Sequence, residues 1–324
     1  VKNYIRLFLT GFGMGSADIV PGVSGGTIAF IFGVYEELVF SIKRLSGETI
    51  KLFLKGKYKD AINSIPFSFL IPLGVGIVTA FLTLAKLITY LLANQPVFVW
   101  SFFFGLIVAS ILIVRKRVVT WDRHDIAVFV VAAVGAYMLT GSVPVETPAT
   151  SIAFFISGFV AIIAMILPGI SGSFLLVLMG KYEQVLHAVV ERDILTLGLV
   201  MAGAVVGLAI FSRVLTWLFE KHHDIAVATL TGFMAGSLRK VWPWKEAITT
   251  RINSKGLEVP VIEKNIFPNI DTTLVIALFL MVIAAWFLMY LEKKHATAEQ
   301  TTDIDKKYAK GHKKAVASQK SGKI

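Results

Sequence analysis

No cysteine occurs among the 324 residues. That excludes disulfide scaffolds, thiolate metal sites, iron–sulfur clusters and cysteine nucleophiles. Charge is also scarce, at 16% of residues, against about a quarter in soluble domains. What fills the space is apolar: 56% of residues are hydrophobic and the mean hydropathy is +0.73. These residues stand in uncharged runs over 67–85, 96–114, 126–145, 147–180, 194–212 and 272–291. A helix needs roughly 20 such residues to cross a bilayer. The chain is therefore expected to be an all-α polytopic membrane protein, not a soluble enzyme, a β-barrel or a secreted scaffold.

The net charge of +11 does not point to nucleic acid, because of where it lies. Residues 293–324 hold nine lysines against Glu299, Asp303 and Asp305. Such a polar, low-aromatic stretch is expected to be a disordered cytoplasmic tail that touches anionic lipid at most. At the other end, Lys2 and Arg6 precede an apolar stretch with no small-residue cleavage site, so no cleavable signal is expected. His222-His223 sits in a short loop beside Lys221, and metal binding there is not expected. No cofactor, metal or catalytic residue is expected.

The chain contains a repeat. At an offset of 147, Pro21-Gly22-Val23-Ser24-Gly25 falls on Pro168-Gly169-Ile170-Ser171-Gly172, and Gly33, Tyr35 and Glu36 fall on Gly180, Tyr182 and Glu183. At an offset of 127, Gly76, Lys86, Gly105 and Ser110 fall on Gly203, Arg213, Gly232 and Ser237. The difference is the basic loop 46–66, present in the first copy alone. Residues 1–145 and 146–292 are read as two copies of one unit.

Each copy holds five apolar segments: 4–20, 24–43, 67–93, 96–115 and 125–142, then 151–167, 171–190, 194–219, 224–240 and 272–291. Five is odd, so the second copy must enter from the opposite side, as in inverted-repeat transporters. The basic N-terminus, 43–59, 115–123 and the tail then fall inside, and the Lys/Arg-free 143–150 outside. Loop 241–271 conflicts, carrying Lys245, Arg251, Lys255 and Lys264 to the outside. With Trp242-Pro243-Trp244 at its start, it is read as an interfacial flap. In 151–190 some forty residues hold Pro-Gly at the middle and no polar loop, so a re-entrant hairpin fits as well as two spans or better.

In Pro-Gly-Val/Ile-Ser-Gly, Pro ends a helix, Gly permits the reversal and Ser is a natural N-cap. Ser24, Gly25, Gly26 and Thr27, with Ser171, Gly172 and Ser173, would leave first-turn amides open to an anion. A capped hinge with Gly for close packing is the alternative. Lys86 and Arg213, matched within uncharged segments, are candidate anion ligands or snorkelling residues. Arg239 and Lys240 could guard an outer entrance or merely sit at the interface. Asp18, whose mate is Met165, breaks the symmetry; it could couple a proton or ion, or serve as a cap or ion-pair partner. Glu36 and Glu183 recur, and both gating and interfacial roles are open. Gly11 and Gly15 suit helix packing.

The duplicated Pro-Gly-Val-Ser-Gly-Gly-Thr and Pro-Gly-Ile-Ser-Gly-Ser, each leading to Gly-x-Tyr-Glu, resemble the bacterial polyprenyl-phosphate transporter family across residues 1–292. The resemblance implies a flippase for undecaprenyl phosphate, returning the lipid carrier of cell-envelope synthesis across the cytoplasmic membrane. Integral-membrane undecaprenyl-pyrophosphate phosphatases are similar in architecture and carry a related Pro-Gly-x-Ser-Arg-Ser loop. Here no Arg stands in either loop and no acidic cluster precedes them, which favours a carrier over an enzyme. A phosphatase-like enzyme and a small-anion transporter or channel remain the alternatives. Coupling ion, chain length and oligomeric state are not legible.

Overall fold

The computed structural model describes residues 2–20, 22–118, 120–252 and 258–293. Pro21, Lys255 and the basic tail 294–324 lie outside the described residues. The chain opens with α1 (Lys2–Asp18), α2 (Gly25–Ile31) and α3 (Tyr35–Arg44). One π-helical turn then leads into α4 (Ile50–Leu54) and α5 (Tyr58–Ser64), so the loop unique to the first copy is largely helical. Three long helices come next: α6 (Phe67–Asn94), α7 (Pro96–Val114) and α8 (Arg123–Thr140). The second half runs α9 (Ser151–Ile166), α10 (Gly172–Leu178), α11 (Tyr182–Glu191), α12 (Ile194–Lys221) and α13 (His223–Val241). It ends with β1 (Lys245–Ile252), β2 (Glu258–Asn265) and α14 (Thr272–Lys293).

Among the described residues five helices, α6, α7, α8, α12 and α14, are long and apolar enough to cross a membrane, or seven elements if each bent pair is one span. The protein is a multi-pass α-helical membrane protein. Large apolar side chains such as Leu82, Val131, Met201 and Phe279 stand exposed on these helices, as lipid-facing positions must. At 28 residues, α6 and α12 each measure about 42 Å, longer than a hydrocarbon core of about 30 Å, and so are expected to tilt.

The segments expected over 24–43 and 171–190 are each broken. α2 and α10 have seven residues, about 10 Å, too short to cross. α2 folds back along α1, with Ile28 against Gly13 and Gly25 against Asp18. The chain then bends by 115° into α3, and by 104° from α10 into α11. Both bends turn on a glycine with positive φ, Gly33 at +70° and Gly180 at +64°; the turns before the short helices use Gly22 at +87° and Gly169 at +88°. These are backbone states that L-residues with a Cβ rarely adopt.

The repeat recurs in the packing. α1 packs on α6, and α9 on α12. A Cβ on Gly11 would strike the carbonyl of Leu73, and one on its mate Gly158 that of Val200. Gly76 abuts Phe8 and Phe12; its mate Gly203 abuts Phe155 and Phe159. The fourth helices exchange partners. Gly105 of α7 packs on Met281 of α14, whereas Gly232 of α13 packs on Phe129 and Ala132 of α8.

The two bends are held at different places. At the first, Arg6 donates to Phe32 O (2.8 Å) and Arg117 to Ile31 O (2.9 Å), placing cations on the C-terminal carbonyls of α2. At the second, Val145 N donates to Leu178 O and Thr147 Oγ1 to Met179 O. Lys181, fully buried, donates to Thr147 O, Pro148 O and Gln184 Oε1 at 2.8–3.0 Å and lies 4.7 Å from the Phe154 ring centroid. Those three acceptors replace the water that burial removes. Segment 143–150 is thereby tied to the second hairpin.

Loop 241–271, read as an interfacial flap, contains the antiparallel pair β1–β2. Its two ends are tied to each other and to α13: Trp242 Nε1 donates to Ile266 O, and Asn265 Nδ2 to Arg239 O.

Candidate functional site

The two broken hairpins meet at their tips. Gly169 N donates to Thr27 Oγ1 at 2.9 Å, and Ser24 Oγ lies 3.4 Å from both Met165 O and Leu167 O. Gly26 abuts Ile166 O, and Tyr35 donates to that same carbonyl at 3.0 Å. α13 runs beside both tips. Gly169 sits against Met234 and Ser237, and Gly22 against the stem of Lys240.

The copies differ in what their helix starts offer. In the first, Gly25 N donates to Asp18 Oδ1 at 2.6 Å, Gly26 N to Ser24 Oγ at 3.1 Å and Thr27 N to Ser24 O at 2.9 Å. Every residue of α2 is buried. Asp18 is thus a cap, the role that satisfies a helix start most directly. In the second copy Met165 stands at the Asp18 position and can accept nothing comparable. Ser171 has extended backbone like Ser24 but makes no side-chain cap; its hydroxyl bonds that of Ser173 at 2.9 Å. The amides of Gly172, Ser173 and Phe174 have no acceptor among the described residues. Ser173 is exposed and Ser171 half-buried. The amides of Ser173 and Phe174, and the one hydroxyl hydrogen that the Ser171–Ser173 bond leaves over, therefore remain available to an anion, with the Gly172 amide unpaired but buried behind them.

A cationic cluster adjoins them. Lys240 Nζ lies 5.2 Å from the Phe174 ring centroid and donates to Glu263 Oε2 at 3.0 Å. Lys245 Nζ stands 3.6 Å from the same carboxylate oxygen and 4.1 Å from the Trp100 ring centroid. Its side chain is 8% exposed, and its ammonium makes no hydrogen bond. Burial pushes Lys245 down to about 8, against the pull of Glu263. Burial works to raise Glu263, but Lys245 and Lys240 outweigh it and hold the carboxyl below its ordinary value. Two lysines to one glutamate leave the cluster positive. Sequence reasoning saw Lys240 as a possible entrance guard and missed Lys245, Glu263 and Trp100. The Trp-Pro-Trp beside them was the available signal.

The other candidates lie elsewhere. Arg213 donates to Ser46 O and Ala209 O, both at 3.1 Å, and not to the tips. It lines an open cleft of about 890 Å³ with Glu36, Glu37, Lys43, Arg44, Glu48 and Lys51. Its repeat mate Lys86 is exposed on α6. Glu36 pairs with His223 Nε2 at 3.3 Å. Glu183 stands half-buried in the first turn of α11. Arg239 lies over the Tyr137 ring (4.5 Å) and against Gly141, donating to Tyr137 O. Gly25 and Gly172 are also packing positions: a Cβ would strike Asp18 at the first and Ala161 O at the second. No group of His, Asp or Glu that could hold a metal ion occurs among the described residues.

Residues 14–259 match the undecaprenyl phosphate translocase-like family. The chain is 42% identical over 298 residues to a polyprenyl-phosphate transporter of Vibrio cholerae serotype O1, covering 90% of this chain and 97% of that protein. It is 33% identical over 253 residues to a polyprenyl-phosphate transporter of Staphylococcus aureus, covering 72% and 85% respectively. No solved structure matches the chain.

Proposed function

The chain belongs to the undecaprenyl phosphate translocase-like family, and from that premise we propose that it carries a polyprenyl phosphate across the bacterial cytoplasmic membrane. One observation carries the mechanism: two broken hairpins meet tip to tip among membrane-length helices, and one of the two helix starts keeps its donors open. A lipid phosphate needs an anion site for its head while its tail stays in hydrocarbon. Backbone amides at a helix start suit the head, because they attract negative charge without a buried charged side chain of their own. In this reading Ser171, Gly172 and Ser173 bind the phosphate. Ser24, Gly25, Gly26 and Thr27 form the wall against which that site is built.

The halves are read as inverted repeats, with both termini cytoplasmic and 143–150 and 241–271 external. Support comes from the bends. The first is held by Arg6 and Arg117, in the basic segments assigned inside, and the second by residues 145–148, assigned outside. The cleft beside Arg213 then faces inward as a vestibule, and the Lys240 cluster covers the site from outside. Carrier action is favoured over hydrolysis. The carboxylate at the tips, Asp18, is held by the Gly25 amide, and bond cleavage would need an activated nucleophile besides charge stabilisation.

The test is flux in proteoliposomes, with a short-chain polyprenyl phosphate and inorganic phosphate offered to the same vesicles. Lipid phosphate should move, inorganic phosphate should not, and no inorganic phosphate should be released. Ser171→Ala should slow lipid flux about fivefold, in line with a hydrogen bond worth about 1 kcal/mol. Movement of inorganic phosphate alone would mean a small-anion channel, and its release from the lipid would mean an enzyme.

A further inference from the structure

We propose that Lys240 and Lys245 form an outer subsite for a phosphate monoester, and that Glu263 is its built-in occupant, displaced when the headgroup arrives. The inference rests on the transport reading above and names how the same site is kept filled when no lipid is bound.

Three observations support it. The Lys245 side chain is more than nine-tenths buried, yet its ammonium has no hydrogen-bond partner. A buried ammonium carries three donors, and leaving them unsatisfied is costly, a cost that an acceptor oxygen closer than that of Glu263 would relieve. Its charge is met by Glu263 at 3.6 Å and by the face of Trp100. Second, Glu263 Oε2 touches both lysines, at 3.0 and 3.6 Å, as a phosphate oxygen would. One carboxylate carries a single negative charge between two cations; a phosphate monoester carries up to two and has more acceptor oxygens. Third, the subsite adjoins the tips. The Lys240 stem touches Gly22 and its ammonium stands over Phe174, the residue after Ser173.

The exchange is a side-chain movement. The base of the β-hairpin stays tied through Trp242 to Ile266 and through Asn265 to Arg239, so the Glu263 side chain can rotate away while the strands hold. Trp100, beneath Lys245, would report the change in its emission.

The experiment uses the full chain in lipid nanodiscs, with farnesyl phosphate as probe and farnesol as the phosphate-free control, read by tryptophan emission and by thermophoresis. Removing the competitor with Glu263→Gln should tighten farnesyl phosphate binding about tenfold and leave farnesol unchanged. Glu263→Asp, which keeps the charge, should not reproduce the gain. Lys245→Gln should weaken farnesyl phosphate at least tenfold, and in the Lys240→Gln/Lys245→Gln background the Glu263→Gln gain should vanish. Unchanged or weaker binding in monodisperse Glu263→Gln protein would overturn the inference, making the carboxylate only a staple for the strand. So would a gain that survives loss of both lysines. If the wild-type chain binds farnesyl phosphate no better than farnesol, the transport reading itself fails. Wild-type preference without any variant effect sinks the subsite alone.

Discussion

The same five-residue turn occurs twice, and the two copies do opposite things. The turn before α2 is sealed: its first amides are taken by Asp18 and Ser24, and the helix is buried throughout. The turn before α10 has the same backbone, with glycine φ values of +87° and +88° at matched positions, but the first amides of α10 itself have no acceptor among the described residues. Few exchanges separate them. Asp18 is replaced by Met165, Gly26 by Ser173 and Thr27 by Phe174. A shared backbone can therefore be a structural plug or an open site, depending on whether the preceding helix supplies a carboxylate. The two turns share their backbone geometry and differ in the side chains around it.

The sharpest way to break the comparison is to plug the open copy. Met165→Asp places a carboxylate where Asp18 stands in the first copy, next to Gly172. It should reduce polyprenyl-phosphate flux to background, a loss of at least about 100-fold, since a tethered anion would compete for the same amides. Size-exclusion profiles should remain monodisperse. Flux within about twofold of wild type would mean that the α10 start is not the site.

The reverse change unplugs the sealed copy. Asp18→Met leaves the Gly25 amide buried without an acceptor, at a cost of about 1–3 kcal/mol. The expected result is a melting temperature lowered by several degrees, with the affinity for lipid phosphate lowered no more than threefold. A loss of binding larger than the loss of stability would show that the first tip also touches the ligand.

The smallest effect sharpens the matched cations. Arg213 lines the cleft and holds Ser46 O, whereas Lys86 is exposed on α6. Arg213→Gln should slow flux several-fold, and Lys86→Gln should change it less than twofold, measured on the same reconstituted vesicles. Equal effects would restore the equivalence that the repeat suggests.

Much of this was legible in the sequence because it is local. Pro-Gly marks a helix stop and Ser24 an N-cap, and each needs only its neighbours in the chain; the bends at Gly33 and Gly180 fall inside stretches that hydropathy reads as continuous. The repeat offsets paired Gly76 with Gly203, and Gly11 read as a packing glycine; the structure adds that all of these, with Gly158, press against a neighbouring backbone. Three features were hidden because they depend on distant partners. The capping of Gly25 by Asp18 needed the folded turn to choose between a cap and an ion pair. Lys181 looks like a surface lysine until its three carbonyl-type acceptors are assembled around it. The Lys240–Glu263–Lys245 cluster joins a helix end to a β-hairpin, and neither hydropathy nor helical periodicity reports strand pairing. Lys86 and Arg213 show the converse: equal positions in a repeat need not have equal surroundings, because the helical insertion over 46–66 exists beside Arg213 alone.

The exchange of partners by the fourth helices carries a consequence for what counts as a part of this molecule. α7 finds its glycine-lined contact on α14, and α13 finds its own on α8. Cutting the chain between the copies would strip each fragment of the surface its fourth helix packs against. A fragment ending before α9 would leave Gly105 facing lipid where Met281 now closes against it, and one beginning at α9 would leave Gly232 equally bare, so the two stretches of chain are welded through helices that lie far apart in sequence.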